Sequence, residues 1–344
     1  VGILTSVELS GLTGKEANQK THKLLFALFT IFAIIFVGFR ECGFDYDSYM
    51  SLFEDFIMPG WKENAQINNI ESGYAFINYL LGDYYLVLVV MAFVTITLQF
   101  VFIYKYSPYP FFTLFLMLGV MLYPSLMGQY RQALAIAIVL WAFVDRKNKL
   151  KFLSLILIAS MFHATSLIGL LVYFIPDKFL KTRYYFILLG IGLILNFILE
   201  PFILSVAPFL PSLMSDKIEG YSNTEDFILG LNIAMLLRII IMLIFIFNKD
   251  KILENKSGAL YFNIYFLSLF IYLALGAIPQ IALRGGIYFY YFEFILASML
   301  IYRIRGFLRY VWLFLFISLS IWRQVSFFIE WTDDYVPYSN ILFN

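Results

Sequence analysis

Residues 24–39 read LLFALFTIFAIIFVGF, an apolar run without a charged side chain that ends at Arg40-Glu41. A helix needs about 20 predominantly apolar residues, with a range of roughly 17–25, to cross a bilayer. No small-residue cleavage site precedes Arg40, which favours a retained membrane span over a signal peptide. We therefore expect the first span over residues 23–39.

Further runs of this kind follow along the whole chain. They cover residues 84–104, 110–126, 129–145, 184–205, 227–248, 258–279, 286–302 and 310–328, and segment 152–175 is either one more span or two short helices that meet near His163. Of the 344 residues, 62% are hydrophobic and 14% are charged, whereas soluble domains have about 45–50% apolar and about 25% charged residues. The predicted fold class is all-α: a polytopic integral membrane protein with about 11 membrane helices or half-helices.

Composition excludes several kinds of site. The single cysteine, Cys42, and the two histidines, His22 and His163, are too few for a Cys- or His-based metal cage. The net charge is +1, and no run of Lys or Arg resembles a tail that binds nucleic acid. We therefore expect neither a nucleic-acid partner nor a metal site of this kind.

The positive residues predict the topology, because Lys and Arg accumulate in cytoplasmic loops. With a cytoplasmic N-terminus and a hairpin at 152–175 that returns to its starting side, 17 of the 24 Lys and Arg residues are inside, six are outside, and Arg238 lies within a span. A single span at 152–175 would move the last nine inner residues outside. We therefore predict the hairpin and a periplasmic C-terminus.

Each arm of this hairpin has about 12 residues and would be roughly 18 Å long as a helix, too short to cross the membrane. Broken helices at membrane depth occur where they are buried in protein or line a cavity. The tip carries His163, which is the first indication of a functional site.

Two polar segments, 40–83 and 206–226, lie outside the membrane in this topology. The first contains an apolar stripe with helical spacing, which predicts a helix on the membrane surface: Tyr49, Leu52, Phe53, Phe56 and Ile57. The second is predicted to be a polar, lid-like loop. No linker or repeat interrupts the chain, so we predict one domain over residues 1–344.

Polar residues from several segments gather on this outer side. They are Arg40, Asp45 and Asp47 after the first span, Glu71 before the second, Gln129, Arg131 and Gln132 at the start of the fourth, His163 at the hairpin tip, and Arg284 before Tyr288. Arginine binds phosphate bidentately and loses its hydration more readily than lysine, and helix N-termini favour anions. The set predicts a site for a lipid that carries a phosphate or a diphosphate.

Other interpretations of these residues stay open. Arg131 and Arg284 are also explained as interfacial arginines that extend toward water. Asp45-Tyr46-Asp47 has the spacing of a metal-binding Asp-x-Asp motif, or is a solvated pair. His163 is also compatible with a core histidine bonded to a carbonyl. Arg238 and Glu293, nearer mid-span, are predicted to have a structural role.

At these residues the chain resembles the EpsG-like branch of the Wzy polymerases, which act on O-antigens and exopolysaccharides. The matching pieces, in chain order, are Arg40…Gly43-Phe44-Asp45-Tyr46…Tyr49, Glu71-Ser72-Gly73-Tyr74, Gln129-Tyr130-Arg131-Gln132-Ala133-Leu134-Ala135, Ala159-Ser160-Met161-Phe162-His163-Ala164-Thr165-Ser166 and Arg284-Gly285-Gly286-Ile287-Tyr288. Phe44 and Tyr130 depart from the family pattern, which more often has a small or hydroxyl residue and an aliphatic residue there.

The resemblance implies a glycosyltransferase of the GT-C type in a bacterial inner (cytoplasmic) membrane, without a metal or other cofactor. Its donor and acceptor would be undecaprenyl-diphosphate-linked oligosaccharides, bound on the periplasmic side in contact with the lipid bilayer. The growing glycan would move onto the non-reducing end of a new repeat unit, and undecaprenyl diphosphate would be released. A chain-length regulator is a further expected partner.

Within this scheme, Arg131 and Arg284 are predicted to bind the donor diphosphate, with Arg40 as a secondary clamp and Tyr288 orienting an oxygen. Asp45 is the first candidate for the base at the acceptor hydroxyl, because the resemblance implies an acidic residue in the first outer loop, and His163 is the second. Glu71, Gln129 and Gln132 are predicted to bind substrate.

Three other functions fit parts of the sequence. A flippase or transporter of the same lipid-linked sugars would place its site residues near mid-bilayer and often contain inverted repeats. A ligase or acyltransferase would use the same donor and share the outward arginines. A structural membrane scaffold would have no need of a broken helix that carries His163.

Overall fold

The computed structural model describes residues 1–11, 18–206, 233–253, 257–276 and 279–342, and the protein is helical throughout these ranges except for turns, loops and one isolated β-bridge between Arg40 and Asn340. The chain forms two compact units. The first comprises Val1–Tyr173 with Ala297–Asn344, and the second comprises Phe174–Leu296. The prediction of one domain over residues 1–344 stays a prediction.

The described elements follow one another in this order: α1 (Gly2–Leu9), α2 (Gln19–Gly38), α3 (Tyr46–Phe56), α4 (Trp61–Ile67), α5 (Ser72–Leu81), α6 (Tyr84–Tyr106), α7 (Pro110–Met121), a π-helical turn (Leu122–Gly128), α8 (Tyr130–Val144), α9 (Lys149–Ser160), a 3₁₀ helix (Ala164–Phe174), α10 (Thr182–Val206), α11 (Ile233–Phe247), α12 (Lys249–Leu253), α13 (Gly258–Ala274), α14 (Pro279–Tyr290), α15 (Phe292–Arg303), α16 (Phe307–Glu330) and α17 (Thr332–Tyr335).

Six helical stretches among the described residues are long and apolar enough to cross a membrane: Gln19–Gly38, Tyr84–Tyr106, Pro110–Gly128, Thr182–Leu199, Ala282–Arg303 and Phe307–Glu330. Three further predicted spans are present as shorter apolar helices, Tyr130–Val144, Ile233–Phe247 and Gly258–Ala274. The fold is therefore all-α and consistent with a polytopic membrane protein. The count of about 11 and the GT-C architecture stay predictions.

Parts of three predicted segments lie outside the described residues. They are residues 207–226 of the predicted lid, residues 227–232 at the start of the predicted span over 227–248, and residues 277–278 of the predicted span over 258–279.

Apolar side chains cover the outer surface of the long helices. On α16, Phe314 is 76% exposed and Ile329 is 72% exposed, and on α10 Phe197 is 73% exposed. Soluble monomers rarely expose large continuous apolar surfaces, whereas acyl chains are as apolar as these side chains. The surface is therefore suited to lipid.

In the first unit, α8 packs closely against α6, and a polar side chain of each helix donates a hydrogen bond to the backbone of the other. Ala133 is fully buried, and its carbonyl accepts a hydrogen bond of 3.1 Å from Nε2 of Gln99. Trp141 of α8 donates through Nε1 to the Leu98 carbonyl at 3.2 Å. Small residues that let helices approach, together with polar side chains bonded across the gap, are typical of packing between membrane helices.

The hairpin predicted at 152–175 is confirmed. Helix α9 and the 3₁₀ helix are separated by a turn at residues 161–163, and their far ends meet. Arg146, just before α9, donates to the Val172 carbonyl at 2.6 Å, and the Phe152 and Tyr173 rings lie 6.0 Å apart. Because the two arms are antiparallel, segment 152–175 returns to its starting side, and His163 lies at the tip.

The hairpin tip is bound to the start of α5 by a contact that requires glycine. The Gly73 N–H donates to the Met161 carbonyl at 2.9 Å, and a Cβ atom at Gly73 would lie only 2.6 Å from that same oxygen. The Met161 carbonyl belongs to the backbone, and a Cβ atom is attached directly to the backbone. Neither could move aside, so a side chain at Gly73 would push the two segments apart.

Helix α3 confirms the predicted helical stripe, but the stripe covers protein and not only the membrane surface. Tyr49, Phe53 and Phe56 are buried. The Phe53 ring lies 5.6 Å from that of Tyr84, and the Phe56 ring lies 6.3 Å from that of Tyr74. Helix α3 is therefore a layer that packs against α5 and α6.

The loop after α2 is fixed by the C-terminal segment, residues 336–342. The Glu41 N–H donates to the Ser339 carbonyl, and the Ile341 N–H donates to the Phe39 carbonyl, both at 3.0 Å. Tyr338 also donates to the Phe36 carbonyl at 2.6 Å. The predicted topology places residue 40 and the C-terminal segment on the same side of the membrane, and these contacts, which make the two segments neighbours, agree with that prediction.

Substitution of Gly73 by Ala is expected to destabilise the protein by about 1–3 kcal/mol, the usual cost of overpacking, because the new methyl group collides with the Met161 carbonyl. Thermal unfolding of the purified protein in detergent measures this. The matched control is Gly190→Ala in α10, where a Cβ meets nothing within 4 Å. That control is expected to be neutral or slightly stabilising, and equal melting temperatures for the two variants would contradict the contact.

Candidate functional site

The site is built on a distorted connection between α7 and α8. In the π-helical turn, Gln129 donates its N–H to the Pro124 carbonyl, five residues earlier, at 3.0 Å. A side chain at Gly128 would collide with the Phe44 ring, so glycine lets the first outer loop lie directly on this turn. Single π-turns are frequent at functional sites because they redirect side chains. Here the turn sets the start of α8 and the direction of Arg131.

Arg131 is in the first turn of α8 and forms an ion pair with Glu71. Its Nη1 atom lies 2.5 Å from Oε2 of Glu71, and the two side chains are 15% and 19% exposed. Its Nε atom donates to the Tyr49 hydroxyl at 3.4 Å. No hydrogen bond with a described residue uses Nη2 of this guanidinium. The cation is thus held in place while part of its donor set stays available.

Two tyrosines contact this guanidinium, and a third is bonded to one of them. Its central carbon lies 5.4 Å from the centre of the Tyr49 ring and 5.3 Å from that of Tyr74, within the range of a cation–π contact. The Tyr74 and Tyr130 hydroxyls are hydrogen-bonded at 2.5 Å. Burial raises the pKa of Tyr49, which the charge of Arg131 offsets only in part, and burial also raises the pKa of Tyr74. Both phenols are therefore neutral at neutral pH.

Glu71 joins this cluster to the hairpin tip. It immediately precedes α5, and while Oε2 binds Arg131, Oε1 accepts the Ala164 N–H at 2.8 Å. The adjacent residue, His163, is half-buried, and its Nδ1 atom shares a hydrogen bond of 2.7 Å with Oγ1 of Thr165. The structure therefore brings Glu71, Arg131 and the His163 turn together, although they come from three segments of the chain.

Asp45 lies at the edge of the same cluster. It immediately precedes α3, its carbonyl accepts the Tyr49 N–H at 3.0 Å, and its charge contributes to the raised pKa of Tyr49. Asp47, two residues on, is exposed. Among the described residues, no group of three or more His, Cys, Asp or Glu side chains has the arrangement of a metal site.

The two predicted glutamines flank Arg131 and differ in burial. Gln129 precedes α8 and is half-buried, and its carbonyl accepts the Ala133 N–H at 3.0 Å. Gln132 is only 2% exposed. Gln129 is therefore the more accessible of the two.

Arg40 has a different environment from Arg131. It is 1% exposed, and its two terminal nitrogens donate to the Val37 carbonyl at 2.7 Å and the Met127 carbonyl at 2.6 Å. Its central carbon lies 5.6 Å from the centre of the Tyr130 ring. Gly43, in the same loop, has φ +133°, a conformation that favours glycine. In this arrangement Arg40 joins the end of α2 to the π-helical turn. It also contacts one member of the Arg131 cluster, which consists of Arg131, Glu71, Tyr49, Tyr74 and Tyr130.

Arg284 and Tyr288 belong to the second unit and are described separately. Both are in α14, one helical turn apart; Arg284 is half-buried and Tyr288 is fully buried. In the same unit, Glu293 accepts hydrogen bonds from the Tyr265 hydroxyl at 2.5 Å and the Tyr290 hydroxyl at 3.2 Å. Their roles toward a substrate stay predictions.

The sequence identified the charged members of the cluster but not the residues that hold them. Glu71 was expected only to bind substrate, whereas the structure makes it the ion-pair partner of Arg131. Tyr49, Tyr74 and Tyr130 were not assigned to the site at all. The one available signal was their presence in the same short pieces as Asp45, Glu71 and Arg131.

Comparison with known proteins identifies the family. No curated protein and no solved structure matches the chain. The sequence model of the EpsG family matches residues 23–340, nearly the whole chain, and it includes every residue of the Arg131 cluster. The protein therefore belongs to the EpsG family.

Proposed function

We propose that this protein is a membrane glycosyltransferase that polymerises a polysaccharide from lipid-linked repeat units. Membership of the EpsG family supports a polysaccharide-polymerase-like membrane protein. One observation supports a lipid-linked donor with an anionic headgroup: the Arg131 guanidinium is fixed by Glu71 and two tyrosine rings, and its Nη2 atom is still available. Such a group suits an anionic headgroup, and undecaprenyl diphosphate is the donor that we propose.

The reaction breaks the bond between the sugar C1 atom and the diphosphate oxygen of the donor. The electron pair leaves with the diphosphate, and the acceptor hydroxyl oxygen forms the new bond to C1 while its proton passes to a base. Negative charge therefore develops on the leaving group. A positioned guanidinium in a site of low polarity stabilises that charge more than it stabilises the ground state, which is the role that we propose for Arg131. Arg284, in the second unit, is separately proposed to bind phosphate.

Asp45 is the proposed base at the acceptor hydroxyl, and His163 is the alternative. Asp45 is half-buried beside Tyr49, which contacts Arg131. Glu71 is less suited to be the base, because both of its oxygens already accept hydrogen bonds, from Arg131 and from Ala164. We therefore propose that Glu71 positions Arg131, and that Arg40 supports the same cluster through its contact with Tyr130.

The proposed location is the inner membrane of a bacterium, with the Arg131 cluster on the periplasmic side. The Lys- and Arg-rich loops at the other end of the spans support this orientation. Gln129 is the proposed contact for a sugar hydroxyl, since its side chain is half-buried beside Arg131.

The direct test is purified protein with undecaprenyl-diphosphate-linked repeat units and no nucleotide sugar, analysed on a gel. A ladder of products is expected. A single added unit would indicate a ligase, and transfer of the lipid across the bilayer without a new glycosidic bond would indicate a flippase.

Substitution of Arg131 by Gln is expected to lower polymer formation at least about 100-fold, the usual effect of removing one electrostatic donor to a transition state. The gel ladder and single-turnover rates measure it. The matched control is Arg309→Gln: Arg309 also bonds a tyrosine hydroxyl, that of Tyr109, at 3.3 Å, but at the opposite end of α7. A full ladder from the Arg131 variant, at normal protein level, would refute the role.

Substitution of Asp45 by Asn is expected to slow transfer by about 10²–10⁴-fold, as loss of a general base does, while lipid-linked donor still binds. Asp47→Asn removes the same charge two residues away at an exposed position and is expected to keep activity. Equal losses in both variants, reversed by added divalent metal, would instead support the Asp-x-Asp metal interpretation.

A further inference from the structure

Arg238 is a half-buried cation within an apolar helix. It lies in α11, whose other residues from 233 to 247 are uncharged, and it is about 11 residues before Lys249. Charged side chains in membrane spans are rare and mark functional sites more often than not. Glu293, the other residue near mid-span that is predicted to have a structural role, accepts hydrogen bonds from the Tyr265 and Tyr290 hydroxyls.

Two aromatic rings hold the Arg238 guanidinium. Its central carbon lies 4.1 Å from the centre of the Tyr272 ring and 4.8 Å from that of Tyr290. No hydrogen bond or ion pair connects it to any described residue. Both distances are within the range of a cation–π contact, and the five N–H donors of the guanidinium make no hydrogen bond with a described residue.

The helices indicate the depth of this group. Lys249 donates to Oγ1 of Thr182 at 2.7 Å, which marks the Lys-rich end of the second unit. Arg238 is ~16 Å from Lys249 along α11, and Tyr272 is ~21 Å from Gly258 along α13, at 1.5 Å per residue. The guanidinium is therefore past the middle of a hydrocarbon core of about 30 Å, on the side away from the Lys-rich end.

Arg284 belongs to the same unit and lies farther from the Lys-rich end than Arg238. It precedes Tyr290 by six residues in α14, a rise of ~9 Å in the direction away from the Lys-rich end. Both arginines are half-buried. Lipid phosphates lie at the edge of the hydrocarbon core, so a phosphate bound at Arg238 would lie below that level and inside the protein, with Arg284 nearer the edge.

We propose that Arg238 is an anion-binding residue of the second unit, and that it binds the phosphate group of a lipid headgroup from within the membrane. Guanidinium groups bind phosphate bidentately, and the contacts with the Tyr272 and Tyr290 rings hold the Arg238 guanidinium in place before a ligand binds. Undecaprenyl diphosphate is the intended ligand, and this choice rests on the proposed function; a phospholipid headgroup has the same chemistry.

The test measures binding of undecaprenyl diphosphate to the purified full chain by native mass spectrometry, with phosphatidylglycerol and with undecaprenol, which lacks phosphate, as separate ligands. Arg238→Gln is expected to weaken binding of the diphosphate about tenfold, as loss of one charge-assisted contact does, and to leave undecaprenol unaffected. An equal loss for phosphatidylglycerol would support the site with a phospholipid as its ligand.

The matched control is Arg183→Gln. Arg183 is also stacked on a tyrosine, at 4.9 Å from the Tyr184 ring, but at the start of α10 near the Lys-rich end; the control is expected to bind like the wild type. If Arg238→Gln does not fold, Arg238→Lys carries the test, since it keeps the charge but loses the fork and is expected to bind several-fold more weakly.

Unchanged diphosphate binding by the folded Arg238 variant, with or without a gel ladder, would overturn this site. Failure of the wild-type protein to form a ladder would overturn the polymerase and leave the binding result standing. The two proposals can therefore fail separately.

Discussion

The ion pair between Arg131 and Glu71 joins three separate parts of the first unit. It connects the start of α8 to the start of α5, and through Glu71 to the hairpin tip at Ala164. Removing one partner of such a shielded pair costs about 3–5 kcal/mol, because the other charge is left alone, while the pair itself contributes little net stability. The main effect of the ion pair is therefore to fix the position of the Arg131 cation at the start of α8.

Three arginines of this chain show how the partner decides what a buried cation can do. Both terminal nitrogens of Arg40 donate to backbone carbonyls, so Arg40 joins α2 to the π-helical turn. Arg131 is balanced by one carboxylate and keeps one terminal nitrogen available. Arg238 is held by cation–π contacts with two tyrosine rings and makes no hydrogen bond with a described residue. An arginine can thus join segments of the backbone or, where its N–H donors are available, bind a ligand.

The sequence predicted the elements well where one physical rule dominates. Apolar runs located the long helices, and the asymmetry of Lys and Arg predicted the hairpin that ends at His163. It failed where contacts join distant residues. Glu71 and Arg131 are 60 positions apart, and only the fold shows that they pair. The stripe of α3 predicted a helix, but its burial against Tyr74 and Tyr84 depends on neighbours that periodicity does not specify.

The pairing of residues 39–41 with 339–341 links the first loop to the last described part of the chain, 298 positions later in the case of Glu41 and Ser339. During synthesis, that loop must remain without these partners until the final helix has been inserted. The Arg131 cluster rests on this loop through Phe44 and Arg40. A ribosome-bound or prematurely terminated chain would therefore hold the earlier spans without the finished support of the Arg131 cluster.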